Sequence, residues 1–340
     1  MSAITIIGAG VMGSAMSVPA RDNGHDVRLV GTPLDRDIIA RASQTGEHAN
    51  LKRQLPDGIS YFQIEELKTA LADADLIISG VSSFGVDWFA DEIIPALPEK
   101  IPVFSVTKGM AARRGGGLIS YPGYYSEKYP GRVFTAVGGP CTSYELADRD
   151  QTHVCLCGND REALLKIKKI LGTDYYHMSL TNDVEGLECA VALKNAYALA
   201  VTLAVGICLK RDGVIRYNSQ AALFGQSVRE MTGLLKLFGC GADNIVYGAG
   251  DLYVTVFGGR TRKIGTLLGE GYTFGEAMKT LEGVTLESVV ISTRVAGAVR
   301  RLIGQNRVSS EDFPLLLHVD DIINNGAAVD IPWDKFTTGN

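Results

Sequence analysis

Hydrophobic residues in the first half of the chain form short runs separated by polar and glycine-rich segments. Runs of this length, rich in β-branched residues, predict buried strands. The first lies around Ile4, Ile6 and Ile7, and the amphipathic segment after it predicts a helix to about Asp22, although Pro19 is unfavourable there. Strands that alternate with helices are typical of a parallel α/β sheet. Further strands are predicted within residues 25–31, 73–83, 101–109, 132–140 and 152–158.

The hydrophobic pattern changes after about Thr181, where long helical stretches replace the strands. Residues 187–209 are almost wholly apolar, and their only strongly polar residues are Glu188, Lys194 and Asn195. This segment is long enough to span a membrane, but its two polar residues near the middle favour the core of a helical domain, and we predict no membrane span. A buried ammonium group must find a partner or lose its proton. Lys194 is therefore either a salt-bridged core residue or a functional group.

A glycine-rich turn connects the first predicted strand to the first helix. Gly8, Gly10 and Gly13 form the pattern G-x-G-x-x-G. The first glycine permits the tight turn, the second lets the backbone approach a pyrophosphate, and the third allows the helix to pack closely on the strand. Because the pattern lies between a strand and a helix, it predicts dinucleotide binding, with the phosphates at the positive end of the helix.

The choice between NAD and NADP is left open by the sequence. An NAD site often has an acidic residue at the end of the second strand, where it reaches the ribose hydroxyls. Here Gly31 and Thr32 occupy that place. Arg28 and Arg36 are close in sequence, but neither is placed securely enough to assign it to a 2′-phosphate.

The predicted elements divide into two domains. We expect a Rossmann-type doubly wound α/β sheet over residues 1–180 and an all-α carboxy-terminal domain over residues 181–340. Ligands of such sheets gather at the carboxyl ends of the strands. Ser83 and Lys108 follow two predicted strands, so we expect both at the cofactor cleft.

Composition narrows the functional classes. The formal net charge of −5 gives no reason to expect nucleic acid as a partner. The six cysteines include no CxxC pair and no spacing that suits zinc, so we predict no metal site. Cys155 and Cys157 are expected to be small buried thiols on a strand. A strand predicted so close to Met1 leaves no room for a signal peptide, and a cytoplasmic location is expected.

One segment of the second half combines glycines with groups that can bind an anion. Asp251, Thr255, Arg260 and Arg262 lie among glycines within residues 248–265. Glycines let backbone N–H groups face an anion, and arginine offers planar, bidentate donors to phosphate. Such a local site would attract an anionic substrate to a protein of negative net charge.

A series of short motifs extends over almost the whole length of the chain: GAGVMGSA, TKG, GGP followed by Glu145, ALKN, GAGDLYVT, GGRTRKIG and EGV. In these motifs and in their order, the chain resembles the NAD(P)-dependent glycerol-3-phosphate dehydrogenase family. That family pairs a Rossmann domain with a helical domain and interconverts dihydroxyacetone phosphate and glycerol 3-phosphate. The resemblance therefore implies a dehydrogenase that uses NAD or NADP, acts on a small phosphorylated substrate and forms a homodimer.

The resemblance also implies roles for single residues. Lys194 matches the catalytic acid/base, Asp251 a residue beside the reacting oxygen, and Lys108 a lysine shared by cofactor and substrate. The implied substrate-binding residues are Lys108, Asn195, Asp251, Thr255, Arg260 and Thr261. The glycine turn, the strand ends and the resemblance together give the expected cofactor-binding residues. These are Gly8, Gly10, Val11, Met12, Gly13, Ser83, Lys108, Arg260 and Glu282.

Several positions depart from the family's pattern. Thr261 replaces an asparagine after the phosphate-binding arginine, and Cys141 replaces a serine after GGP. Met12 replaces an aromatic residue at the glycine turn, Thr32 replaces an arginine, and CLKR is inserted before DG. Because Arg260 is retained, a phosphorylated substrate is expected. Thr261 and Cys141 leave open a longer ketose phosphate, such as a tetrulose phosphate.

Two other classes of function are compatible with parts of the sequence. A ketopantoate reductase-like enzyme would share the glycine turn and a helical lysine–asparagine pair, but it would not need Arg260. A nucleotide-binding redox sensor could use Cys155 and Cys157, but it would not need Lys194, Asp251 and Arg260.

Overall fold

A computed structural model describes residues 1–113, 117–281 and 286–336. The chain forms two compact units. The first consists of Met1–Ala111 and Ile119–Glu188, and the second of Ala112–Leu118 and Cys189–Asn340. The boundary predicted between residues 180 and 181 falls shortly before this division.

Twelve strands lie within the described part of the chain, and eight of them form one sheet. Their bounds are β1 Ala3–Ile7, β2 Asp26–Val30, β3 Glu47–His48, β4 Arg53–Gln54, β5 Ile59–Phe62, β6 Leu76–Ser79, β7 Val103–Ser105, β8 Met110–Ala112, β9 Leu118–Ser120, β10 Phe134–Gly138, β11 Thr152–Gly158 and β12 Tyr176–Thr181.

The large sheet has the order β12-β11-β10-β7-β6-β1-β2-β5. All its neighbouring strands are parallel except β10 and β11. The order reverses at β1, which lies between β2 and β6, and ligands of doubly wound sheets bind at such a point. The expected Rossmann-type sheet and its six predicted strands are confirmed. The sheet strands β5 and β12 were not predicted. β5 has only four residues, whereas β12 was missed although its alternating apolar and polar residues favour a strand.

Both faces of the sheet are covered, as the apolar strand sequences require. Successive residues of a strand point to opposite faces. Ile4 and Ile6 accordingly belong to one buried cluster, and Ile7 belongs to the other. The burial of β1 between two cores fixes the position of the glycine turn that follows it.

Helices account for most of the remaining described residues. In the first unit they are α1 Val11–Ala15, α2 Ser17–Asp22, α3 Arg36–Thr45, α4 Leu67–Ala70, α5 Val86–Trp88, α6 Tyr121–Lys128, α7 Ser143–Ala147 and α8 Arg161–Leu171. They continue with α9 Val184–Asp212, α10 Tyr217–Leu237, α11 Ile245–Val256, α12 Gly259–Glu270, α13 Phe274–Thr280, α14 Glu287–Gly304 and α15 Pro314–Asn324. The helical carboxy-terminal domain is thus confirmed.

The first predicted helix is divided into two parts, which is a correction to the sequence analysis. The break lies at Met16, between α1 and α2. Pro19 has no N–H group to donate to the carbonyl of Ala15, so the regular helical ladder is interrupted at this turn.

Helix α9 is long and apolar enough to cross a membrane by its length and composition. However, 89% of its most apolar 18-residue window is buried inside the protein. A helix that is apolar on nearly all sides and covered by other helices is a core helix, as predicted.

Small residues bring α12 close to α9. A Cβ atom at Gly265 would overlap the Thr202 hydroxyl, and a Cβ atom at Gly269 would overlap the Leu203 carbonyl. The two helices can therefore approach at this distance only because these positions lack side chains.

A buried carboxylate joins three helices of the second unit. Glu230 of α10 accepts hydrogen bonds from the Tyr197 hydroxyl of α9 and the Gln226 amide, at 3.0 and 2.8 Å. It also accepts from the backbone N–H groups of Leu315 and Leu316 at the start of α15, at 2.8 and 3.0 Å. Four donors compensate much of the cost of burying this carboxylate.

Candidate active site

The glycine turn is packed tightly on one side and open on the other. Gly8 has a φ of +110°, and a Cβ atom there would lie 2.7 Å from the Gly80 carbonyl carbon. A Cβ atom at Gly13 would overlap the Gly8 carbonyl oxygen. At Gly10 the nearest atom to a Cβ would be the Gly80 oxygen, 3.9 Å away. Of these three glycines, Gly10 is therefore the one beside which a ligand has space.

A cavity of about 380 Å³ in the first unit begins at this turn and fits part of a dinucleotide. Glycines and a few polar residues, among them Ser82 and Asp35, line one part, and large apolar side chains line another: Leu34, Phe84 and Trp88. Ser83 lies in the same turn after β6, but the cavity is lined by its two neighbours, Ser82 and Phe84.

Val11 and Met12 form the first turn of α1, directly after Gly10. Gly10 is the residue that precedes the helix, and no side-chain hydrogen bond caps this end. The N–H groups of a first helical turn have no partners within the helix and can bind an anion. The geometry therefore fits the expected pyrophosphate position.

Both arginines near the end of β2 are engaged by acidic groups. Arg28 forms an ion pair with Asp26 at 2.8 Å and also donates to the Ala70 carbonyl. Arg36 forms an ion pair with Glu65. An acidic residue does line the cavity near this strand end, at Asp35 instead of at Gly31 or Thr32.

Lys108 lies beyond the end of β7, at the carboxyl edge of the sheet. Its Nζ donates a hydrogen bond to the Gly139 carbonyl at 3.0 Å. Glu188, which belongs to the same unit, is fully buried, and neither of its carboxylate oxygens has a hydrogen-bond partner. Burial raises the pKa of Glu188 well above its usual range, and the charge of Lys108 offsets part of this effect.

The lysine in the middle of α9 has a partner. Lys194 Nζ donates to Asp251 Oδ1 of α11 at 2.7 Å, and the two side chains are 14% and 1% exposed. The close contact depends on Gly248, where a Cβ atom would lie 2.7 Å from the Ala190 carbonyl oxygen of α9. The pair is thus a largely buried acid–base pair whose ammonium retains some access to solvent.

Two further predicted residues lie on the same helices as this pair. Asn195 follows Lys194 and is 7% exposed. Thr255 lies one turn after Asp251, and its hydroxyl donates to the Asp251 backbone carbonyl at 2.7 Å. Thr255 therefore supports the helix at Asp251 and does not contact its carboxylate through this hydrogen bond.

Arg260 and Thr261 lie in the first turn of α12. Gly259, which begins this helix, has a φ of +76°, a conformation that favours glycine. Arg262 Nη1 donates to the Val256 carbonyl at the end of α11 at 2.7 Å, which connects the two helices across the turn. A helix amino terminus next to an exposed arginine is suited to binding phosphate.

Comparisons with known proteins identify the family. The family model for the NAD-dependent glycerol-3-phosphate dehydrogenase N-terminus matches residues 3–164, and that for the C-terminus matches residues 183–333. The NADP(+)-dependent glycerol-3-phosphate dehydrogenase of Archaeoglobus fulgidus is 34% identical over 82% of this chain and 83% of its own. The chain belongs to the NAD-dependent glycerol-3-phosphate dehydrogenase family. It is an oxidoreductase that acts on a CH–OH group with NAD or NADP.

Other relatives of this dehydrogenase agree with the assignment. Glycerol-3-phosphate dehydrogenase [NAD(+)] 2 of Arabidopsis thaliana, described as chloroplastic, is 29% identical over 95% of this chain and 74% of its own. The crystal structure of glycerol-3-phosphate dehydrogenase from Coxiella burnetii is similar in fold, with a TM-score of 0.80, 22% identity and coverage of 98% of this chain and 97% of that chain.

Two further positions of the dehydrogenase were singled out from the sequence. Cys141 is partly buried and packs against the core of the first unit. Glu282, which was expected near the cofactor, lies outside the described residues. Among the residues that are described, no group of three or more His, Cys, Asp or Glu side chains could hold a metal ion.

Sequence reasoning missed several residues around the cavity at the glycine turn. Leu34, Phe84 and Trp88 line it, and Asp35 and His48 contact the glycine turn. Asp35 could have been predicted from the sequence, because it follows shortly after β2, one of the strands whose carboxyl ends meet at the cavity. His48 gives no such signal, because it is distant in sequence from the glycine turn and from the ends of β1 and β2.

Proposed function

We propose that the protein interconverts dihydroxyacetone phosphate and glycerol 3-phosphate, with NADH or NADPH as the reductant of the ketone. The observation that carries this proposal is the Lys194–Asp251 pair, a largely buried ammonium held at 2.7 Å by a carboxylate. The names of the relatives supply the substrate: each of the three described above is a glycerol-3-phosphate dehydrogenase.

The first unit would bind the cofactor. The backbone at Gly8, Gly10, Val11, Met12 and Gly13 would face the pyrophosphate, because the space over Gly10 is open and the first turn of α1 has no side-chain cap. Bound NAD(P)H supplies the hydride. Ser83, Lys108, Arg260 and Glu282 complete the proposed cofactor-binding set.

The second unit would supply the proton. As the ketone is reduced, its oxygen gains negative charge, which the Lys194 ammonium would stabilise and then neutralise by proton transfer. Asp251 would hold the ammonium in place, since its carboxylate is 1% exposed and has little freedom to move. Asn195 and Thr255 would contact the substrate beside this pair, and Lys108 would act as a further catalytic group.

The substrate phosphate would bind at the start of α12. Arg260 offers bidentate donors, and the amino end of the helix adds a favourable partial charge. Thr261 replaces the asparagine expected next to it and makes a longer ketose phosphate the second candidate substrate. A ketopantoate reductase-like activity is less well supported, because it leaves Arg260 without a role.

A redox-sensing function has little support from the thiols. Cys155 and Cys157 are both buried on β11. Burial raises the pKa of the Cys157 thiol well above its usual range, so little reactive thiolate forms there.

The proposal includes a homodimer in the cytoplasm, with cofactor binding by residues 1–180 and substrate binding by residues 181–340. Exposed apolar residues on α11 and directly after it support self-association: Val246, Tyr253 and Phe257 are 68%, 58% and 56% exposed.

The experiment that tests the proposal replaces Lys194 by methionine, which preserves the length of the side chain and removes the proton donor. Lys194→Met should lower kcat for dihydroxyacetone phosphate by a factor of about 100 to 10,000, the range for loss of a general acid, while NADH binding is retained. Lys210→Met, at an exposed lysine near the end of the same helix, is the control and should keep its activity.

A buried carboxylate left without its partner can unfold a protein. The double variant Lys194→Met/Asp251→Asn removes this charge and should be folded and inactive. If either folded variant retains most of the wild-type kcat, Lys194 is a structural lysine and the proposed mechanism is wrong.

A further inference from the structure

Both backbone polar groups of Ala9, within the glycine turn, are held by side chains from other parts of the first unit. The Ala9 N–H donates to Asp35 Oδ2 at 3.1 Å. The Ala9 carbonyl lies 2.8 Å from His48 Nε2. Because these groups belong to consecutive peptide planes, the two contacts fix the orientation of both planes.

Asp35 holds the turn with one carboxylate oxygen. Besides the Ala9 N–H, Oδ2 accepts hydrogen bonds from the Thr32 N–H at 2.9 Å and the Thr32 hydroxyl at 2.8 Å. The segment after β2 is thereby attached to the loop after β1. Asp35 also lines the cavity, so its environment would change when a ligand binds.

His48 holds the turn from the buried side. The imidazole is fully buried, and its Nδ1 lies 3.0 Å from the Leu51 N–H, which can only donate. Nδ1 must therefore be the acceptor, and in the neutral ring Nε2 carries the hydrogen that it donates to the Ala9 carbonyl. The hydrogen-bond network thus selects one tautomer.

The contact with His48 has a consequence for Gly10. In a trans peptide the N–H points away from the preceding carbonyl. Since the Ala9 carbonyl faces the buried imidazole, the Gly10 N–H points away from that side. A Cβ atom at Gly10 would have no neighbour nearer than 3.9 Å, so the turn also leaves room beside the Cα atom of this residue.

We infer that Asp35 and His48 are positioning residues for cofactor binding, which set the peptide planes of the glycine turn so that its N–H groups can receive the pyrophosphate. This inference rests on the proposed function, which places the pyrophosphate at that turn. His48 acts only through the backbone, because it is fully buried. Asp35 acts through the backbone and from the edge of the cavity.

A matched pair of variants separates the two hydrogen bonds of His48. Gln places an amide nitrogen near the position of Nε2, so His48→Gln keeps the bond to Ala9 and loses the acceptor for Leu51. Asn places an oxygen near the position of Nδ1, so His48→Asn keeps the acceptor and loses the bond to Ala9. A purely structural role would make both variants weaken cofactor binding in step with their loss of stability.

The measurement is the Kd of NADH, followed by its fluorescence, together with the Tm of each purified variant. His48→Asn should raise the Kd about tenfold, whereas His48→Gln should stay within about threefold of wild type, from the usual worth of one hydrogen bond. The affinity for ADP-ribose should fall with that for NADH in His48→Asn, and the affinity for adenosine, which has no pyrophosphate, should change little. Asp35→Ala should also weaken NADH binding, and Asp37→Ala, at an exposed neighbour, should not.

Equal increases in the Kd of His48→Asn and His48→Gln that follow the loss of Tm would overturn the inference. So would an equal loss for adenosine and ADP-ribose in His48→Asn. A separate variant, Gly10→Asp, places a carboxylate where the pyrophosphate is proposed to bind. If folded Gly10→Asp binds NADH as wild type does, it is the proposed location of the cofactor that fails.

Discussion

At the scale of single residues, Glu188 is unusual because it is a fully buried carboxyl group without a hydrogen-bond partner. Burial is the largest influence and raises its pKa well above the usual range; the charge of Lys108 lowers it, and that of Glu185 raises it. The native protein therefore keeps a proton on Glu188 at pH values where the unfolded chain has released it. A neutral acid in this place avoids the cost of a buried charge.

This protonation predicts how stability depends on pH. Since the native state binds the extra proton, the contribution of Glu188 is complete below the pKa of the unfolded chain and is lost as the pH rises toward the raised native pKa. Glu188→Gln cannot titrate, so it should lose less stability than wild type between about pH 5 and about pH 8. Denaturant unfolding at the two pH values measures this difference, with the exposed Glu92→Gln as the control. Equal pH dependence in wild type and Glu188→Gln would show that Glu188 does not titrate in this way.

At the scale of elements, α12 packs on α9 and so connects the helix with Arg260 in its first turn to the helix that carries Lys194. Gly265 and Gly269 of α12 face α9 without room for a side chain. Glycine otherwise destabilises a helix, because its backbone loses more conformational entropy on folding than that of alanine. The close approach of the two helices is the compensation.

Two glycine-to-alanine substitutions should therefore have opposite effects. Gly269→Ala places a Cβ atom on the Leu203 carbonyl and should lower the free energy of unfolding by about 1–3 kcal/mol, as overpacking does. Gly297→Ala, in the middle of α14, meets no atom within 4 Å and should raise it by about 0.5–1 kcal/mol. Chemical denaturation measures both. A Gly269→Ala variant as stable as wild type would mean that the helices can separate at little cost.

The sequence predicted the elements whose cause is local. The strands β1 and β6 are short apolar runs, and the turn after β1 needs glycine for steric reasons that a sequence displays directly. The division of the first helix at Met16 depends on Pro19. The sequence showed that Pro19 is unfavourable in a helix, but not that the helix would divide there. Edge strand β5 was missed because four residues give too little periodicity.

Contacts between distant segments were beyond the reach of sequence patterns. Lys194 was singled out because it interrupts an apolar helix, but its ion pair with Asp251 joins residues 57 positions apart. His48 and Ala9 are 39 positions apart, and nothing in either local sequence indicates their contact. Such pairs follow from the tertiary fold, which a family resemblance conveys only for the residues in its motifs.

At the scale of the whole molecule, the two units carry different parts of the proposed reaction. The first has a sheet whose strand order reverses at the glycine turn, and the second has the buried lysine–aspartate pair and the arginine at the start of α12. Membership of the glycerol-3-phosphate dehydrogenase family establishes the class of chemistry. The identity of the substrate depends on how Arg260 and Thr261 together receive the phosphate.

The most direct test of this account is to measure kcat/KM of the wild-type protein, with NADH and with NADPH, for three carbonyl substrates. These are dihydroxyacetone phosphate, a tetrulose phosphate and unphosphorylated ketopantoate. We expect dihydroxyacetone phosphate to exceed each of the others by about tenfold or more, because a charge-assisted arginine–phosphate contact is among the stronger polar interactions and the pocket is proposed for a three-carbon substrate. A tenfold preference for the tetrulose phosphate would be consistent with the role of Arg260 but would contradict dihydroxyacetone phosphate as the substrate. Turnover of ketopantoate alone would contradict the account of the phosphate site altogether.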